Sequence, residues 1–196
     1  MKTKFLALAL TLSAVLLASC GTSPTTKLYR LSADANESHR VATDRRRIEV
    51  VAVRIPTLWD RPQIVLSKSA NEVALSEFHR WADPLKSEMP RIVVRNLSRL
   101  LDNPTVWLRE DLSGTNPELR VAVVIHRLDA VAGERLRLEA SWVIRATDGN
   151  ASRVGSANID ELLADASHDA VVAATSRVLL ALSRDIAKDL QVPLGR

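Results

Sequence analysis

One thiol, four imidazoles and a scatter of hydroxyls and carboxylates are the groups in these 196 residues suited to chemistry. Cys20 is the only cysteine, which excludes an intrachain disulfide, a thiolate zinc site and a thiol nucleophile elsewhere in the chain. His39, His79, His126 and His168 are far apart, with no H-x-x-x-H spacing and no dense acidic cluster, and read as surface or hydrogen-bonded residues. The six glycines contain no G-x-G pair, so the dinucleotide fingerprint and the phosphate loop are both missing. Ser156 follows Gly155 but lacks the second glycine of a nucleophile elbow. The chain therefore shows no catalytic, cofactor-binding or metal-binding set. An enzyme or assembly factor acting on envelope components is the alternative. It requires the fold to gather groups such as His126, Asp129 and Glu139 in a concave pocket.

The surroundings of Cys20 give its thiol a different use. Lys2 and Lys4 precede an apolar run from Phe5 to Leu17, shorter than the roughly 20 residues a membrane-spanning helix needs. Small residues then lead to cysteine as Leu17-Ala18-Ser19-Cys20, which resembles the lipobox of bacterial lipoproteins. The resemblance implies that residues 1–19 are a signal peptide removed after export. Cys20 then carries a covalent diacylglycerol and an acyl lipid such as palmitate, and no other cofactor is expected. An ordinary secretory signal cut nearby would leave a soluble periplasmic chain, but would not place the sole cysteine here. Gly21, rather than aspartate, follows the cysteine. By the same resemblance, the destination is the periplasmic face of the outer membrane.

Loss of residues 1–19 removes two of the 27 basic side chains and none of the 23 acidic ones, leaving a net charge of +2. A nucleic-acid partner has no electrostatic support at that charge. Gly21 to Lys27 has linker composition, so residues 20–27 read as a lipidated tether and residues 28–196 as one periplasmic domain. No later apolar run reaches spanning length. The longest, Val171 to Leu182, is interrupted by Thr175, Ser176 and Arg177.

The elements that must position any site follow from periodicity and turn signals. Leu28 to Leu31 reads as a short strand, and Ser32 to Arg47 as a loop ending in Arg45-Arg46-Arg47. That basic run is either a solvated loop or a contact for anionic head groups or an acidic partner. Ile48 to Ile55 is apolar on both faces apart from Glu49 and Arg54, the pattern of a central strand. Gln63–Lys68 and Glu72–Phe78 suggest a hairpin about Ser69-Ala70-Asn71. Asp83 is expected as a helix N-cap with Pro84 at the first helical position, and Pro90 to split the region, leaving a main helix over 91–102. Val106 to Arg109 reads as a strand before a loop over Ser113 to Pro117. Leu119, Val121, Val123 and Ile125 form one strand face. Residues 135–146 alternate, and Thr147-Asp148-Gly149-Asn150 turns them back into a strand over 152–160. Ser167 caps a last helix to Leu190, with a stripe of Val171, Ala174, Val178, Leu182, Ile186 and Leu190. The expected class is α+β: one antiparallel or mixed sheet with two long helices packed on one face.

Two proline-punctuated segments hold tryptophans, Ile55 to Val65 and Phe78 to Leu85. Packing and an interaction surface are both open readings for Trp59 and Trp81. Val51-Ala52-Val53-Arg54-Ile55-Pro56 running into Asp60-Arg61-Pro62-Gln63-Ile64-Val65, followed by Arg80-Trp81-Ala82-Asp83-Pro84-Leu85, resembles the ABC-type transport auxiliary lipoproteins, the PqiC-like family. Trp59 departs from the family pattern, where a smaller aliphatic or aromatic residue is more usual. The resemblance implies a non-enzymatic outer-membrane lipoprotein that supports envelope integrity. It would dock with or cap a periplasm-crossing intermembrane lipid transport complex containing an MCE-domain membrane protein, with homo-oligomers matching a ring-shaped partner. Trp59, Asp60, Arg61, Pro62, Arg80, Trp81, Asp83 and Pro84 are the candidate interface or structural motif. A lipid-carrying domain with an internal apolar cavity is a further alternative, because apolar periodicity marks a cavity wall and a filled core alike.

Overall fold

The computed structural model describes residues 24–34, 39–111, 116–149 and 151–194. The signal segment, Cys20, most of the loop 113–117 and the turn residue Asn150 lie outside the described residues. Among the described residues, eight strands and two long helices follow in order: β1 (Lys27–Tyr29), β2 (Ile48–Arg54), β3 (Gln63–Ser67), β4 (Val73–Trp81), α1 (Leu85–Leu100), β5 (Val106–Leu108), β6 (Leu119–Val131), β7 (Arg135–Ala146), β8 (Ser152–Leu162) and α2 (His168–Gln191). The class is α+β, as expected.

The strands form two sheets, which corrects the expectation of one. A mixed five-stranded sheet has the order β5-β2-β6-β7-β8, and a three-stranded sheet has the order β1-β4-β3. The division follows from edge satisfaction. β6 already uses one edge for β2 in parallel and the other for β7 in antiparallel. β3 rests close to β6 but takes its hydrogen bonds from β4. β2 is the interior strand its composition indicates, with Ile48, Val50 and Val53 buried.

Both helices pack on one face of the five-stranded sheet, α1 against β2 and β5, α2 against β7 and β8, and the two against each other. Alternation in β7 buries Leu136, Leu138, Ala140, Trp142 and Ile144 toward them, leaving Arg135, Arg137, Glu139, Ser141 and Arg145 on the open side. The stripe predicted for α2 is buried throughout, and Ser167 Oγ accepts the Ala170 N–H at 3.1 Å as its cap.

α1 differs from its expectation in two ways. It runs unbroken through Pro90. A proline there forfeits the bond to the Lys86 carbonyl in the second turn, and the burial of Leu85, Met89, Pro90, Ile92 and Val93 on either side holds the helix together. Asp83 is not the cap: the Pro84 carbonyl opens the helix, accepting from Ser87 N (2.9 Å) and Glu88 N (3.0 Å). β1 also stops at Tyr29 rather than Leu31, because the buried Glu88 Oε1 takes the Leu31 N–H at 2.9 Å and draws the chain off the sheet toward α1.

Candidate functional site

Pro56 ends β2, and the next residues wind into a short 3-10 helix, Thr57–Trp59. This turn drives Trp59 into the core, where 2% of it is exposed. Arg61 Nε donates to the Leu58 carbonyl at 2.7 Å, which folds the segment back toward β3. The β3–β4 ladder joins the second segment to the first: Gln63 stands opposite Arg80, and the Trp81 N–H donates to the Pro62 carbonyl at 2.7 Å. The Ala82 N–H then donates to the Tyr29 carbonyl at 2.7 Å, tying β1 into the same corner.

The result is one open cleft of about 320 Å³. Pro62, Trp81, Ala82 and Pro84 provide its apolar lining, while Asp60, Arg61, Asp83 and Lys86 bring charge. Lys86 Nζ lies 3.3 Å from Asp60 Oδ2 in an exposed ion pair. Trp81 is 4% exposed, and its indole N–H has no hydrogen-bond partner among the described residues. A buried donor left unpaired costs about 1–3 kcal/mol.

Six of the eight residues singled out in the two segments thus share one cleft: Asp60, Arg61, Pro62, Trp81, Asp83 and Pro84. Trp59 lies in the core instead, and Arg80 is held by the Glu77 carbonyl (2.9 Å) and carboxylate (3.8 Å). A second cleft of about 340 Å³ adjoins through Lys86, between the β2 bulge at Val50–Val53, Pro90 and the end of β5.

Of the basic run of residues 45–47, Arg46 is tied into the fold while Arg45 and Arg47 stay exposed. Arg46 pairs with Asp44 at 2.6 Å and donates to the Leu190 carbonyl, while Arg47 pairs with Glu118 at 3.4 Å. Burial alone would raise the Asp44 carboxyl, but the Arg46 side chain and N–H, with Gln191, hold it below the usual carboxylate range. His126, Asp129 and Glu139 line neither of these two clefts. His126 meets Ser141 at 2.8 Å, and Asp129 and Glu139 share Arg127 on the open side of the sheet. Among the described residues no group of three or more His, Cys, Asp or Glu is placed to hold a metal ion.

One cluster has no signal in the sequence. The rings of His79 and His168 stack with centroids 3.6 Å apart, 89 positions apart in the chain. The Tyr29 hydroxyl lies 2.7 Å from His79 Nδ1, and His168 Nε2 lies 2.8 Å from the Ser76 hydroxyl. Burial and then the neighbouring His79 push His168 below its ordinary value, against an opposing pull from Asp169. Only the pairing of β1 with β4 and the docking of the start of α2 bring these residues together.

Residues 29–187 match the family model described as the ABC-type transport auxiliary lipoprotein component. No curated protein gives a significant match. Among solved structures, the chain is similar to that of an uncharacterized protein, with TM-score 0.68 and 16% identity over 86% of this chain and all of the other. It is also similar to a Xanthomonas campestris protein of the DUF330 family, with TM-score 0.63 and 16% identity over 85% of this chain and all of the other. At that identity the likeness concerns the fold.

Proposed function

The chain belongs to the ABC-type transport auxiliary lipoprotein family, and from that membership we propose that it is an outer-membrane lipoprotein that docks with or caps an MCE-domain lipid transport complex. In this reading residues 1–19 are removed, and Cys20 carries the diacylglycerol and acyl chains. Residues 20–27 tether the domain to the periplasmic face of the outer membrane, and copies of it assemble to match a ring-shaped partner. A transport auxiliary component positions and couples other proteins, so the chemistry required of its own side chains is recognition.

The observation that carries the docking role is the convergence of the two proline-punctuated segments on one open cleft. An apolar lining with charges beside it resembles the centre of a protein interface, where tryptophan and arginine are common energetic anchors.

Ala82 is exposed and lines the cleft, so Ala82→Arg fills the space without touching the core. Pull-down of the lipidated protein from envelope extracts is expected to recover an MCE-domain protein, and the variant to lose it at an unchanged melting temperature. Retention of the partner by Ala82→Arg would reject the cleft as the interface. Failure to recover any MCE-domain protein across several detergents would reject the docking role.

A further inference from the structure

Four large apolar side chains stay open on the three-stranded sheet: Leu28 (67% exposed), Val73 (44%), Leu75 (38%) and Phe78 (42%). They lie on neighbouring strands. Leu28 is opposite Arg80 in the parallel β1–β4 pairing, and Phe78 is two residues from Arg80 and so on the same side by strand alternation. Val73 and Leu75 continue along β4 into the hairpin, and the extra residues that β4 carries between Ser76 and Arg80, opposite Gln63 and Ile64 of β3, shift the alternation so that Val73, Leu75 and Phe78 are all exposed. β1 is one of the two edge strands of this sheet. Apolar side chains grouped in this way mark an interaction surface rather than the scattered exposure of an ordinary exterior.

The chain that precedes β1 indicates what meets this surface. Lys27, the first residue of β1, is seven positions from Cys20. Even fully extended, that link spans only about 25 Å. A lipid on Cys20 therefore keeps β1 close to the bilayer, on the edge of the domain where the open side chains lie. Lys68, exposed in the β3–β4 turn near Val73, borders the group and is suited to reach head groups while its stem follows apolar surface.

We propose that the β1–β4 edge rests on the bilayer, with Leu28, Leu75 and Phe78 entering the boundary between head groups and acyl chains beside the lipid anchor. The proposal deepens the lipoprotein reading and rests on acylation of Cys20. It turns the tether from a loose leash into one side of a two-point attachment, and fixes which side of the domain faces the membrane. Trp81, at the far end of β4 from the hairpin, then presents the cleft away from the Val73 end.

The test uses the mature lipidated protein in phospholipid vesicles. Acylation consumes the only natural thiol, so Leu75→Cys, Phe78→Cys and, as a control on the other sheet, Val154→Cys each carry one environment-sensitive fluorophore. The intact mass establishes the lipid first. The expected result is a blue-shifted emission at 75 and 78 that acyl-brominated phospholipids quench roughly two-fold or more, as suits side chains about 5–10 Å into the interface, with no quenching at 154. Solvent-like, unquenched emission at 75 and 78 would overturn the proposal. Blue-shifted emission that brominated lipid leaves unquenched would overturn it in favour of a second chain covering this face. A mature chain lacking the lipid mass would overturn the anchor itself, separately identified by the mass.

Discussion

Trp59 and Trp81 occupy equivalent places in the two motif segments but end in different surroundings. Trp59 is core, held by a 3-10 turn. Trp81 is equally buried yet forms part of a cleft wall and keeps an unpaired N–H. Trp81→Ala is expected to cost about 3 kcal/mol in urea unfolding, through lost burial and the cavity left behind. Trp81→Phe keeps most of the ring and sacrifices no intramolecular hydrogen bond, so its loss should be clearly smaller, which the same unfolding curves measure. The stacked histidines give a pH dependence. Because His168 is held below its ordinary value of 6.5, chiefly by burial and then by His79, the unfolded chain binds its proton more readily than the native one. Its contribution is therefore present above pH 6.5 and lost as pH falls through the lower native value, with His79, Lys27 and Asp169 the charged groups acting on it. Urea midpoints should decline between pH 8 and pH 5, and His168→Gln should flatten that decline. An unchanged slope in the variant would assign the dependence elsewhere.

At the scale of elements, Gly155 acquires a purpose unrelated to a nucleophile elbow. It sits on β8 directly opposite Trp142 of β7, and a Cβ there would overlap the Trp142 ring and the Asp189 carboxylate. Trp142 Nε1 donates to that carboxylate at 2.9 Å, so the missing side chain lets β8, β7 and α2 meet at one point. Gly155→Ala is expected to destabilise by at least about 1–3 kcal/mol, the usual cost of overpacking. A thermal melt and the near-ultraviolet signal of the displaced tryptophan check it. Helix α1 shows the opposite balance. Pro90 alone argues for a break, yet nine buried residues hold the helix continuous from Leu85 to Leu100.

For the whole molecule, the proposed attachment is separable from the fold. The described domain carries its own core, and no helix among the described residues is long and apolar enough to cross a membrane. Cys20→Ala touches none of that core. It is expected to move the protein from the washed membrane pellet toward the soluble fraction with an unchanged melting temperature. A variant that unfolds, or remains with the washed membranes, would refute the tether. If residues 1–19 are removed as proposed, the small net charge that is left means that salt should have little effect on this partition.

Local interactions explain how much was legible in advance. Period-two alternation in residues 135–146, the helical stripe from Val171 to Leu190, the Ser167 cap and the β3–β4 hairpin all depend on neighbours in sequence, and each is present in the fold. The two motif segments were legible as a pair because their residues match a family. What only tertiary structure decided depends on distant partners. Hydrogen-bond edges already taken by β2 and β7 keep β3 from pairing with β6, which it rests against. Long-range burial overrides the local cost of Pro90. The cleft around Trp81 and the His79–His168 stack exist because β1 returns to β4 and α2 docks beside it, pairings that leave no period or spacing in the chain.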